Sequence, residues 1–162
     1  VSAEKFTEHL AIEKHLPAAV QDWHSDHGDR TLIVDGAHIL EIARILRDEL
    51  GYNFLVDLAG VDYLPRKPRF EIVYQFMNLT TKTRIRVKVQ TNDAHPEVAS
   101  LTPLWPIANW LEREVWDLMG IKFHGHPDLR RILLYEEFQG HPLRKDYPKT
   151  GRQPLIGPGC KG

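Results

Sequence analysis

Three histidines and three acids toward the C-terminal end of the chain are the residues most capable of chemistry. His124, His126 and His141 could form a metal set, with Asp117 or Asp128 as a fourth ligand, because imidazole nitrogen and carboxylate oxygen both bind zinc. The spacing argues against this. His124 and His126 are two residues apart and share no helical face. His126 and His141 each sit in a Gly-His-Pro tripeptide, Gly125-His126-Pro127 and Gly140-His141-Pro142. Glycine there supplies positive φ and proline presets its own, so the tripeptides read as turns. The rings are then hydrogen-bonding turn residues, and no metal is expected.

The acids are Glu112, Glu114 and Asp117. Carboxylates do acid–base work when burial splits their pKa values. On a helix Glu114 and Asp117 share a face, and Arg113 reaches Asp117 four residues on. The plainer reading is a charge-paired helix face, with Trp110, Leu111, Val115 and Leu118 turned inward and Trp116 left for a flank or an interface. Arg113 could also pair outward, with a carboxylate of another chain. No catalytic residue is expected.

Other chemistries lack their signatures. Arg84, Arg86 and Lys88 alternate along one strand face, but stacking RNA bases would need exposed aromatics among them. No Gly-rich phosphate loop of either common pattern occurs, Gly157-Pro158-Gly159 included, so neither NADH nor flavin is expected here. The sole cysteine is Cys160, which excludes an intramolecular disulfide and a four-thiolate iron–sulfur cluster on this chain. One unpaired thiol fits a reducing compartment.

The composition fits one soluble domain. A chain of 162 residues with net charge -1 builds its own core and carries no global field for nucleic acid or anionic lipid. No run approaches the roughly 18 apolar residues of a membrane span, and no stretch reads as a basic-then-apolar leader. The start at Val1 is expected to be processed or trimmed. Any membrane attachment would come through other chains.

The elements that position these residues follow from periodicity. Ser2 to His15 predicts an amphipathic helix stopped by Pro17. Asp22 to Asp29 reads as a polar loop, and Thr31 to Val34 as a short strand. Asp35 caps a helix over 37–50 with Ile39, Ile42, Ala43, Leu46 and Leu50 on one face, ended by Gly51. Asn53 to Val61 is a strand interrupted by Asp57. Phe70, Ile72, Tyr74 and Phe76 alternate with polar residues, as do Ile85, Val87 and Val89. Residues 91–106 form a proline-bearing loop. Asn109 starts a helix with Glu112 in a capping box, and Gly120 closes it as a left-handed cap. The order α-β-α-β-β-β-α predicts a two-layer α+β fold: helices on one face of a mainly antiparallel or mixed sheet. Residues 1–124 form this body, and 125–162 an extended tail.

The stretch from Leu111 to Pro148 carries more than a core element needs. Glu112-Arg113-Glu114, Asp117, Gly120-Ile121, Gly125-His126-Pro127, Leu129-Arg130-Arg131-Ile132-Leu133 and Gly140-His141-Pro142-Leu143-Arg144-Lys145-Asp146-Tyr147-Pro148 together resemble the C subunit of respiratory complex I, the proton-translocating NADH–quinone oxidoreductase. A weaker likeness extends upstream through Asn53-Phe54-Leu55 and Asp57 to Tyr63. The resemblance implies a cofactor-free member of the hydrophilic arm, with FMN and the iron–sulfur clusters on partner subunits. It implies packing against the D subunit, the large one that lines the quinone cavity, near subunits B and I. The location implied is peripheral, on the cytoplasmic side of a bacterial inner membrane, or the matrix side if mitochondrial. A related energy-converting membrane hydrogenase, or a relative with another electron donor, uses a similar subunit. A stand-alone histidine metalloenzyme is the remaining alternative.

The tail is then the expected docking element. Arg130, Arg131, Arg144 and Lys145 need carboxylates, and the expectation is that a partner supplies them. Leu129, Leu143 and Tyr147 would fill that partner's grooves. Arg113, Glu114, His126, Pro127, His141 and Asp146 complete the expected interface.

Overall fold

The computed structural model describes residues 6–91 and 95–153. Helix α1 (Thr7–His15) is followed by strands β1 (Val20–Asp26) and β2 (Asp29–Asp35). A 3-10 turn (Gly36–His38) leads into α2 (Ile39–Asp48). Strands β3 (Phe54–Asp62), β4 (Phe70–Met77), β5 (Arg84–Thr91) and β6 (Glu97–Ala99) precede α3 (Ala108–Met119) and β7 (Lys122–His124). Five strands form one sheet in the order β1-β2-β5-β4-β3, while β6 and β7 pair separately and in parallel. Only β2 and β5 run parallel in the large sheet, and the α2-β3-β4 segment supplies the long crossover such a pair requires.

The α+β expectation holds, with helices on one face of a mixed, mainly antiparallel sheet. Leu32, Val34, Phe70, Ile72, Tyr74, Phe76, Ile85, Val87 and Val89 are buried in a single cluster with Ile12 of α1, Ile42 and Leu46 of α2, and Ala108 and Val115 of α3. Asp35 does cap the turn before α2, accepting from the Ala37 N–H at 3.0 Å. The interruption at Asp57 is a β-bulge: the β3–β4 register shifts between Leu55 and Asp57. That shift lets Leu55 and Leu58, three apart, both face the core.

Three readings of the sequence are corrected. The polar segment 22–29 is not a loop but most of a hairpin, β1 antiparallel to β2. Its two-residue turn places His27 and Gly28 at φ 55° and 88°, the geometry that matches strand twist. This edge strand packs on the core only through Val20 and Trp23, three residues apart, so it shows no alternating apolar period, which hid it. The proline-bearing loop contains β6, and β7 follows α3. Finally, α3 begins at Ala108 without a side-chain cap, and Glu112 is a core residue rather than part of a capping box.

Helix α3 lies along β3. Trp105, just ahead of it, donates from Nε1 to the Asn53 carbonyl at 3.2 Å. At the other end Gly60 lets the helix approach: a Cβ there would lie 3.0 Å from Val115 Cγ1. Residues 125–153 contain neither helix nor strand and drape over the C-terminal half of α3. No described helix is long and apolar enough to cross a membrane.

Candidate functional site

Asp117 holds the tail to the body. Its side chain is fully buried. One oxygen accepts from Arg131 at 2.6 Å, and the other from the N–H groups of Ile132, Leu133 and Leu134 at 3.1, 2.9 and 2.9 Å. Three successive N–H groups on one carboxylate make an anion nest. Burial alone would raise the carboxyl's pKa, but the Leu134 N–H, the Arg131 guanidinium and the other two N–H groups outweigh it and hold it below the ordinary range. Arg113 works from the same helix in the opposite sense, donating to the carbonyls of Arg130 and Arg131 at 3.1 and 2.9 Å. The expected Arg113–Asp117 pair therefore gives way to two reciprocal grips on the tail.

The histidines extend this clasp. His126 accepts from the Asp128 N–H at Nδ1 and donates from Nε2 to the Asn109 carbonyl, which fixes a neutral tautomer. His141 donates from Nδ1 to the Asp117 carbonyl at 2.9 Å. Burial, reinforced by the charges of Arg144 and Arg131, lowers its pKa. His124 is exposed, and the described residues hold no group of three or more side chains placed to bind a metal. Both Gly-His-Pro segments thus tie the tail to α3. Gly120, the cap at φ 73°, makes room for it: a Cβ there would sit 2.5 Å from the His141 ring.

The tail's cations find partners within the chain. Arg144 donates to the Met119 carbonyl at 2.6 Å and lies over the Phe70 ring. Arg130 pairs with Asp128. Lys145 donates from Nζ to the Leu64 carbonyl at 3.4 Å, and its backbone N–H donates to Asp62 at 2.8 Å. Arg69 is gripped between Asp62 and Asp146, and its guanidinium is the main reason the Asp62 carboxyl is held well below the usual range. Tyr147 stacks on Phe138. The inference that these cations require a partner's carboxylates is therefore corrected for Arg131 and Arg144. What the tail offers outward is Arg130, Leu133, Leu143 and Lys145, all exposed, with Leu129 and Pro127 beside them.

Helix α3 also departs from expectation at Trp110, which is 59 % exposed instead of inward. Trp116 packs partly against the core, and Leu118 is half-buried. Glu114 is exposed. Glu112, a candidate acid, is fully buried and accepts from Ser100 Oγ and the Leu101 N–H, both at 2.6 Å. Burial pushes it up to about 7, with the two hydrogen bonds opposing. It anchors the loop before α3 and opens onto no cleft among the described residues. On the far sheet face Arg86 and Lys88 meet Asp29 and Glu71 of neighbouring strands. As site residues, reasoning from sequence missed Asp62, noted only within the weaker likeness from Asp57 to Tyr63, and Arg69, whose signal was its charge beside an apolar strand.

The profile of the family described as respiratory-chain NADH dehydrogenase, 30 Kd subunit, matches residues 32–153. The chain belongs to that family. It is 51 % identical over 138 residues to the NADH-quinone oxidoreductase C subunit of Methylorubrum populi, covering 84 % of this chain and 63 % of that protein. The C subunit of Citrifermentans bemidjiense is 44 % identical over 150 residues, covering 91 % and 93 %. A trypsin-resistant fragment of Nqo5 superposes with a TM-score of 0.61 at 36 % identity, covering 67 % of this chain and 89 % of the fragment. A component of the membrane-bound sulfane sulfur reductase, an archaeal respiratory membrane complex, superposes at 0.71 with 22 % identity, covering 86 % and 82 %, and shares the fold. The profile spans the whole clasp, from Asp62 and Arg69 through Asp117 to Tyr147.

Proposed function

We propose that this chain is the cofactor-free structural member of the hydrophilic arm of a proton-translocating NADH–quinone oxidoreductase, bracing the large quinone-site D subunit near subunits B and I. It carries no electrons itself. Flavin and clusters belong to its partners, and it sits peripherally on the cytoplasmic face of the membrane through them. The observation that carries this reading is the clasp. A buried carboxylate and an arginine of α3 fix the tail's backbone, so the exposed side chains of Arg130, Leu133, Leu143 and Lys145 stand on a preformed surface. Ordering them in advance lowers the entropy lost on docking.

The test uses Arg130→Glu with Leu133→Asp, both on exposed positions whose side chains take no part in the Asp117 nest. The expected result is a several-fold lower yield of intact, quinone-reducing complex from the native membrane, with the chain's own melting temperature unchanged. A normal yield of active complex would remove the tail surface from the interface. Co-purification of a hydrogenase or sulfur-reducing module in place of an NADH module would move the chain to the other-donor branch.

A further inference from the structure

Strand β3 ends the large sheet, and no described strand lies beyond it. Helix α3 runs beside that free edge, and a trough of about 220 Å³ separates them, lined by Asp57, Gly60, Glu114, Leu118, Met119 and Leu143. Its floor is apolar and its rim acidic. The bulge in β3 turns Asp57 out of the sheet's regular alternation, and its Oδ1 accepts from the Leu58 N–H at 2.9 Å. Glu114 stands opposite on the exposed side of α3. Four buried carboxylates of the body are ion-paired within the chain, Glu8 with Arg30, Asp62 with Arg69, Glu71 with Arg66 and Asp117 with Arg131, whereas Asp57 and Glu114 are exposed. Asp57 and Glu114 form no ion pair with a described residue. Leu143, 54 % exposed, borders the trough, and Trp110, 59 % exposed, lies one helical turn before Glu114 on α3.

We propose that this trough receives a lysine- or arginine-bearing segment of a partner subunit. The aliphatic stem runs over Leu118 and Leu143, and the cationic head meets Asp57 and Glu114. The proposal rests on the assembly reading above and names a second contact, separate from Arg130 and Leu133. A helix about 10 Å across does not enter a space of this size, whereas one long side chain on an extended segment does. Two carboxylates over an apolar floor suit a basic residue, whose stem is apolar and whose tip is charged. They disfavour an acidic segment or an anionic lipid headgroup, through like-charge repulsion.

A photo-reactive residue at position 143 of the full chain, irradiated in the purified complex, tests this. The expected product joins position 143 to a peptide of another subunit, with a lysine or arginine within about two residues of the attachment point. A product with a second copy of this chain, with lipid alone, or with no partner in an intact complex overturns the proposal and leaves the assembly reading standing. If the chain were absent from the complex, both would fall. A second arm is Asp57→Lys with Glu114→Lys, both on exposed positions. The yield of intact complex is expected to fall at least tenfold, with the melting of the isolated chain unchanged. An undiminished yield overturns the proposal.

Discussion

Asp117 and Glu112 show how differently two buried carboxylates of one helix can be used. Asp117 is saturated by four donors and stays charged. Replacing it with alanine would strand the half-buried Arg131 charge and three N–H groups, at a cost of about 3–5 kcal/mol. The tail should then become the first site of cleavage in limited proteolysis, between residues 129 and 147. Glu112 accepts only two hydrogen bonds in an apolar setting, and burial lifts it from 4.5 to about 7. Its folded-state value exceeds the unfolded one, so its contribution is fully present below pH 4.5 and is lost as pH rises through 7. Glu112→Gln should remove that loss. Denaturant titrations at pH 5 and pH 8 should differ by roughly 2–3 kcal/mol less in the variant than in the parent.

At the scale of elements, α3 is read wrongly from its hydrophobic pattern and rightly from its cap. Gly120 closes the helix in the left-handed conformation, as its position after Met119 implies. The buried residues, however, are Ala108, Glu112, Arg113, Val115 and Asp117, with Leu111 and Trp116 partly buried. Trp110 lies outside it, within cation–π range of Arg113 at 5.5 Å. Trp110→Ala should therefore cost no more than about 1 kcal/mol in the isolated chain. A loss of several kcal/mol in a denaturant titration would contradict the exposed position. Three charged residues at buried positions explain the misreading: hydropathy counts Glu112, Arg113 and Asp117 as outward and makes room for a tryptophan inward.

For the whole molecule, the network from Asp62 through Arg69 and Asp146, and from Asp117 through Arg131, joins the sheet, α3 and the tail into one charge-paired unit. Such a unit suits the proposed bracing role, because it fixes the positions of the side chains it carries. The same reading expects no prosthetic group. The purified chain should show only aromatic absorption near 280 nm (on the order of what four tryptophans contribute). A stoichiometric visible band from flavin or an iron–sulfur cluster would overturn the cofactor-free assignment. The sole cysteine, Cys160, lies outside the described residues.

The sequence alone determined α2, the three strands β3, β4 and β5, the Gly120 cap and the unusual character of the segment from Leu111 to Pro148. Each of these rests on local signals: a period of two or 3.6 on an element with one buried face, a capping glycine, or a dense run of histidine, proline and arginine. Tertiary structure decided the rest. The β1 edge strand has no period because only Val20 and Trp23 of it pack on the core, and they are three residues apart. The parallel pairing of β2 with β5 joins residues 55 apart, such as Arg30 and Ile85. The partners of the charged residues are equally remote: Arg69 meets Asp146 across 77 positions, and Asp117 meets Arg131 across 14. A charged side chain is read from sequence as solvated or as waiting for a partner, because neither its hydrophobicity nor its neighbours records which distant group will desolvate and pair it. Only the packed structure shows that the tail's arginines are held by the chain's own acids and carbonyls.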